Sequence, residues 1–182
     1  MSRIAASPTD LRMREIRRQF VPLASTVVAC LLSLLPIVMA SPIIPDFAFL
    51  VLISWRLLRP ELWSPLTVLL LGLFNDLVAG HPIGQSMALW TALFLIYDVI
   101  DARLQWRDYW MDWFVAALSI ISYTYGVWYI GQRVDRFSEA DVGLLGNTIN
   151  FNIMMPQIGL SVFCYPIVSR LVLTLDRWRL AR

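Results

Sequence analysis

The sequence predicts an all-α polytopic membrane protein, with about six transmembrane helices packed in one bundle. Three observations carry this. Hydrophobic residues make up 58% of the 182-residue chain and charged residues only 15%, against roughly 45–50% and about 25% in soluble domains; the mean hydropathy is +0.64. The charges gather into short clusters between apolar runs, several of them near the roughly 20 residues a helix needs to cross the hydrocarbon core. Finally, all fifteen basic residues are arginines, and thirteen of them fall in alternate links between those runs, which is the asymmetry of the positive-inside rule.

Residues 1–19 are an arginine-rich arm (Arg3, Arg12, Arg14, Arg17 and Arg18), with Leu11, Ile16 and Phe20 interleaved so that it can lie along an anionic inner leaflet. A transmembrane domain is expected over 20–173 and a basic tail over 174–182. The first span, 20–40, holds no charge. Its arginine-rich flank and Val38-Met39-Ala40 also fit the outline of a signal peptide. The run exceeds the usual h-region of about 7–15 residues, so retention is expected. The second span, 43–58, is short, carries Asp46 near its start and ends in Trp55-Arg56-Leu57-Leu58-Arg59.

The third span, 62–80, is interrupted by Asn75-Asp76 and joined to the fourth, 82–97, through the tight turn Gly80-His81-Pro82-Ile83-Gly84. The fifth, 113–131, gathers Tyr and Trp at its far end, as at an interfacial belt. A charge-free stretch then exceeds one crossing. The sixth span is placed at 150–173, and 142–149 is expected at the interface or re-entering the membrane under cover of protein. The arm, the links holding Arg56 and Arg59 and then Arg103 and Arg107, and the tail with Arg170, Arg177, Arg179 and Arg182 share one side. Both termini are therefore expected to be cytoplasmic. The opposite side carries Arg133 and Arg136 in an acidic outer loop over 133–141, a docking edge for an external partner.

The same residues narrow the chemistry. The absence of lysine excludes Schiff-base and amine nucleophile mechanisms. One histidine and two cysteines far apart, Cys30 and Cys164, supply no metal-site spacing; the cysteines are expected to be small core residues. No catalytic set, cofactor, metal or nucleic acid is expected. Asp98, Asp101, Asp108 and Asp112 surround Arg103 and Arg107 in a charge-balanced inner loop, and His81 is a turn residue. Asn147, Asn150 and Asn152 enter the last span, where they can hydrogen-bond across helices.

Asp76 stands out. A carboxylate inside a span costs about 2.5–3.5 kcal/mol at mid-membrane on insertion scales, although this one lies fourteen residues from Leu62, about 21 Å along a helix and toward the outer boundary. Gly72, Asp76 and Gly80 are spaced four apart on one face, as in a close-packed helix seam around a polar group. The favoured reading is that Asp76 holds the turn to the fourth helix or pairs with Arg133 or Arg136. Contact with a partner and a proton relay with Asp46 are the lesser alternatives.

From Gly72 through Asn75-Asp76 to Gly80-His81-Pro82-Ile83-Gly84-Gln85-Ser86 the chain resembles the signature region of the MreD family of bacterial rod shape-determining membrane proteins. There a glycine, an aspartate and two further glycines recur in this order. Pro45-Asp46-Phe47 and the residues following them are similar to that family's second span, and Asn150 with Pro156, ahead of a basic tail, to its last. The resemblance implies a non-enzymatic component of the cell-elongation (peptidoglycan synthesis) complex in the cell inner membrane. Besides membrane lipids, its implied partners are the bitopic protein MreC and, through it, the MreB filament, a RodA-type glycosyltransferase and its partner transpeptidase. It also implies a bundle similar to the substrate-binding subunits of vitamin transporters. It points to Gly72, Asp76, Gly80, Gly84, Asp46, Asn150 and Pro156 as structural or partner-contact residues. A small-molecule binding or transport subunit is the alternative, which an enclosed pocket would favour over a filled interior.

Overall fold

In the computed structural model, residues 8–34, 44–103, 109–142 and 151–180 are described. Among them lie six α-helices and no strand: α1 (Pro8–Leu32), α2 (Phe47–Leu58), α3 (Pro65–Ala79), α4 (Gln85–Arg103), α5 (Tyr109–Val142) and α6 (Phe151–Leu180), with a single 3₁₀ turn, Pro60–Leu62, between α2 and α3. The starts of α2 and α3 have local causes. The Asp46 carboxylate accepts the Phe49 N–H at 3.1 Å and caps α2; Ser64 Oγ accepts the Thr67 N–H at 3.2 Å and caps α3, with Pro65 in its first turn, where a missing N–H does no harm.

The shortest helix is the hub. From Ala48 to Arg56 every residue of α2 but Val51 is buried, and the other five helices close around it in the order α1, α3, α4, α5, α6, with α6 returning to α1. Aromatic packing joins the layers. Phe49 stacks on Tyr123 of α5 at 4.1 Å and tilts against Trp90 of α4 at 6.4 Å, while the Trp55 indole N–H donates to Ser25 Oγ of α1 at 2.8 Å. Cys30 is buried in the same core and Cys164 packs half-buried against it, as the sequence led us to expect.

Burial is arranged for an apolar surrounding. The exposed faces run in helical steps of large apolar residues: Leu66, Leu70 and Leu77 on α3, Phe114, Leu118 and Ile121 on α5, Phe163, Ile167 and Leu171 on α6. Ser54, Asn75, Asp76, Ser86 and Ser119 are buried. Hydrocarbon tolerates such an exterior, whereas in water apolar patches of this size are unstable. Trp110–Arg133 and Met154–Arg179 are long and apolar enough to cross a membrane, and Phe20–Leu32, Phe47–Leu58 and Pro65–Ala79 are shorter apolar helices.

Several boundaries differ from those read in the sequence. The third helix begins at Pro65, after the 3₁₀ turn, and the fourth runs from Gln85 to Arg103, so Asp98, Asp101 and Arg103 belong to a helix instead of a loop. The outer loop expected over 133–141 is helical, because α5 continues to Val142; at 34 residues it extends about 51 Å, well past the roughly 30 Å of a hydrocarbon core. Similarly, α1 is already helical from Pro8 and α6 reaches Leu180, so most of the arm and tail continue helices. The common reason is that a charge cluster ends an apolar run without ending the helix, since Arg, Glu and Gln are good helix formers. Residues 35–40 of the expected first span and 143–149 of the expected re-entrant stretch lie outside the described residues.

Candidate functional site

The α3–α4 hairpin concentrates the residues singled out in the sequence. Gly80 ends α3 in the left-handed conformation, φ 69°, and its N–H bonds back to the Asp76 carbonyl; the His81 N–H shares that carbonyl at 3.1 Å. Glycine relieves the steric penalty that a Cβ meets there. Gly84, φ 96°, then turns the chain into α4, whose first N–H groups have no partner within their own helix.

Asp76 supplies that partner. Its side chain accepts the N–H of Ser86 at 2.8 Å, Gly84 at 2.9 Å and Met87 at 3.4 Å, and the residue is 1% exposed. A carboxylate at a helix N-terminus meets both unsatisfied donors and the positive end of the dipole. These donors hold the carboxylate inside the fold. The expectation that Asp76 holds the turn is met, and the alternative of a pair with Arg133 is not: the Arg133 guanidinium donates to the Tyr129 hydroxyl at 2.8 Å and lies 5.1 Å over its ring. The Arg136 side chain lies outside the described residues.

Around the cap, Asn75 Nδ2 donates to Ser86 Oγ at 3.2 Å, and His81 Nδ1 lies 3.5 Å from the same hydroxyl. His81 is thus tied to the hairpin. Gly72 faces the first turn of α4 so closely that a Cβ would stand 2.6 Å from Met87 Cα and 2.8 Å from Met87 N. The seam read from the four-residue spacing is therefore real for Gly72 and Asp76, but Gly80 does not belong to it. A Cβ at Gly80 or Gly84 would have nothing within 4 Å; both act through backbone conformation, because α3 has already ended.

Asp46 is the second candidate. Besides capping α2, it accepts the Tyr123 hydroxyl at 2.6 Å, which ties α2 to α5 across 77 residues of chain. Above it opens a cleft of about 260 Å³ between the start of α2 and the facing sides of α5 and α6. Of the remaining candidates, Pro156 lies exposed within α6, where its side chain has no part in the hairpin or the hub. Asn150, with Asn147, lies outside the described residues.

At the opposite end of α2 is a charged cluster that the sequence reading treated as topology alone. Arg56 is 2% exposed and pairs with Asp98 at 2.6 Å and Asp101 at 2.8 Å, its guanidinium 5.6 Å from the Phe94 and Tyr97 ring centres. Asp176 pairs with Arg59 at 3.3 Å and with Arg179, which lies over the Trp55 ring. Asp98 and Asp101 therefore sit on the last turns of α4 and pair with Arg56, instead of belonging to a solvated loop. Their spacing, with an arginine at the end of an apolar run, is the signal that was available.

The sequence model described as rod shape-determining protein MreD matches residues 13–172. No curated protein and no solved structure matches the chain. The match spans α1 to most of α6 and takes in the glycine–aspartate hairpin whose cap and close approach have just been described. On that extent of agreement, the chain belongs to the MreD family of rod shape-determining membrane proteins.

Proposed function

We propose that this chain is a non-enzymatic, multi-pass scaffold of the bacterial inner membrane that binds MreC and so organises the cell-elongation machinery. The observation that carries the reading is membership of the family over 13–172. The disposition of charge supports it. Asp46, Asp76, Arg56 and Asp176 are each engaged with other groups of the fold, as suits a rigid framework. The expected result of depletion in the bacterium of origin is that rod-shaped cells become rounded, and MreC should crosslink to the protein in intact membranes. Unchanged cell width after full depletion would overturn the reading.

In this proposal six helices pass through the membrane with both termini cytoplasmic, so that Arg56, Arg59 and Arg179 lie at the inner face and the last turns of α5 project outward. That projection replaces the expected outer loop as the edge offered to a periplasmic partner. Cysteines introduced at Ser138 and Glu139 should react with an impermeant thiol reagent applied outside intact cells, whereas cysteines at Thr9 and Leu180 should not. The opposite labelling pattern would invert the orientation.

A further inference from the structure

The arginines whose side chains are described fall into two groups. Arg56, Arg59 and Arg179 are ion-paired, and Arg133 donates to the Tyr129 hydroxyl and lies over its ring. Arg170 and Arg177 of α6 are exposed and have no carboxylate or ring partner among the described residues. The seven-residue step between them places both on one side of the helix, two turns and about 10 Å apart. Along the same outward side runs an apolar stripe, in which Phe163, Ile167 and Leu171 follow at four-residue steps and are 80%, 63% and 61% exposed. Arg170 stands between the last two.

The helix supplies no counter-ion for these two charges. Asp176 is the one acid of α6, and it is buried, turned to Arg59 and Arg179. A guanidinium among hydrocarbon-facing side chains needs an anion beside it. The face therefore has the polarity of an amphiphile: two cations at one end, and at the other an apolar stripe about 12 Å long from Phe163 to Leu171. Arginine binds phosphate through parallel N–H bonds, and both side chains are long enough to converge on one phosphodiester between them. Two guanidiniums on one phosphate leave positive charge in excess. A choline or ethanolamine headgroup would bring a third cation to that point, whereas a glycerol headgroup brings none.

We propose that this outward face of α6 is a binding site for an anionic phospholipid, with the lipid phosphate held between Arg170 and Arg177 and an acyl chain laid along Phe163, Ile167 and Leu171. The topology proposed above places the site in the inner leaflet, where anionic headgroups meet basic side chains. Only the choice of leaflet rests on that reading. Binding in detergent does not depend on it, so a failure of the orientation and a failure of the site are read separately.

Two lipids with the same tails and different headgroups test it on the full-length protein in detergent. Read by native mass spectrometry, dioleoyl phosphatidylglycerol should bind at least about tenfold more tightly than dioleoyl phosphatidylcholine. The double variant Arg170→Gln/Arg177→Gln should lose that preference, while phosphatidylcholine binding and the thermal unfolding midpoint without added lipid are kept. A phosphatidylglycerol carrying a diazirine in one acyl chain should label the peptide that holds residues 163–171 of the wild-type protein, a result that needs no variant and decides the matter if the double variant fails to fold. Equal binding of the two lipids, a preference kept by the folded double variant, or labelling confined to other segments would overturn the proposal. So would competition by free glycerol phosphate, which would make the site one for a soluble anion. Loss of the MreC crosslink in the double variant, with no lipid preference in the wild type, would overturn it in favour of a partner's carboxylate.

Discussion

Asp76→Ala should be among the most damaging single substitutions in this protein, because it removes the acceptor shared by the Gly84, Ser86 and Met87 N–H groups. A buried donor left unsatisfied costs about 1–3 kcal/mol, and two well-formed bonds are lost, so a destabilisation of about 2–6 kcal/mol is expected. Burial makes the loss hard to repair, since at 1% exposure little water reaches the donors to replace the carboxylate. Asp76→Asn separates shape from charge. With N–H donors converging on both carboxylate oxygens, an amide can serve only one side and turns its own donors toward the other, so Asn should fall between wild type and Ala. Thermal unfolding in detergent and the steady-state amount in membranes measure the order. An Asp76→Ala protein that accumulates and unfolds like wild type would show that the cap contributes nothing.

Gly72→Leu should be comparably severe for a different reason. The Cβ alone would stand 2.6 Å from Met87 Cα, and backbone cannot rotate away as a flexible side chain does. Overpacking of this kind costs typically 1–3 kcal/mol, and here the α3–α4 distance must itself increase, which pulls Asp76 away from the donors it caps. Gly72→Ala should therefore already destabilise, unlike most Gly→Ala changes inside a helix, which gain propensity. Gly80→Ala offers the contrast: it meets open space but a φ of 69°, so roughly 1 kcal/mol is expected from backbone strain alone. The same unfolding measurements compare the three. If Gly72→Ala were neutral or stabilising, α3 and α4 would not approach as closely as the structure shows.

The hairpin was largely legible in the sequence. A lone carboxylate in apolar text, flanked by glycines and followed by Gly-His-Pro, states that a polar demand is met near a tight turn. The donors that Asp76 serves were not legible, because they lie eight to eleven residues further on and reach it only after Gly80 and Gly84 have both adopted positive φ. Spacing also misassigned Gly80 to a packing face. Periodicity continues on paper past the residue where a helix stops, so a four-residue interval cannot distinguish a seam glycine from a terminating one. The opposite error occurred at Gly131, where the end of the apolar run was read as the start of an outer loop although the helix continues to Val142, because charged residues end an apolar run without ending a helix.

By itself the sequence determined the all-helical class and the family-bearing hairpin, since these rest on composition, apolar run length and local turn chemistry. Only the tertiary structure decided which helix is central, which arginines are buried and where a cleft opens. Arg56 and Arg59 look alike in the text, yet Arg56 is enclosed between Asp98 and Asp101 while Arg59 reaches Asp176 from the bundle edge. Those outcomes depend on contacts between segments 42, 77 and 117 residues apart, and no local pattern encodes a meeting of that range: every helix here is apolar enough to be a neighbour of any other, and the choice is made by the shape and polar pairing of the faces once they are brought together.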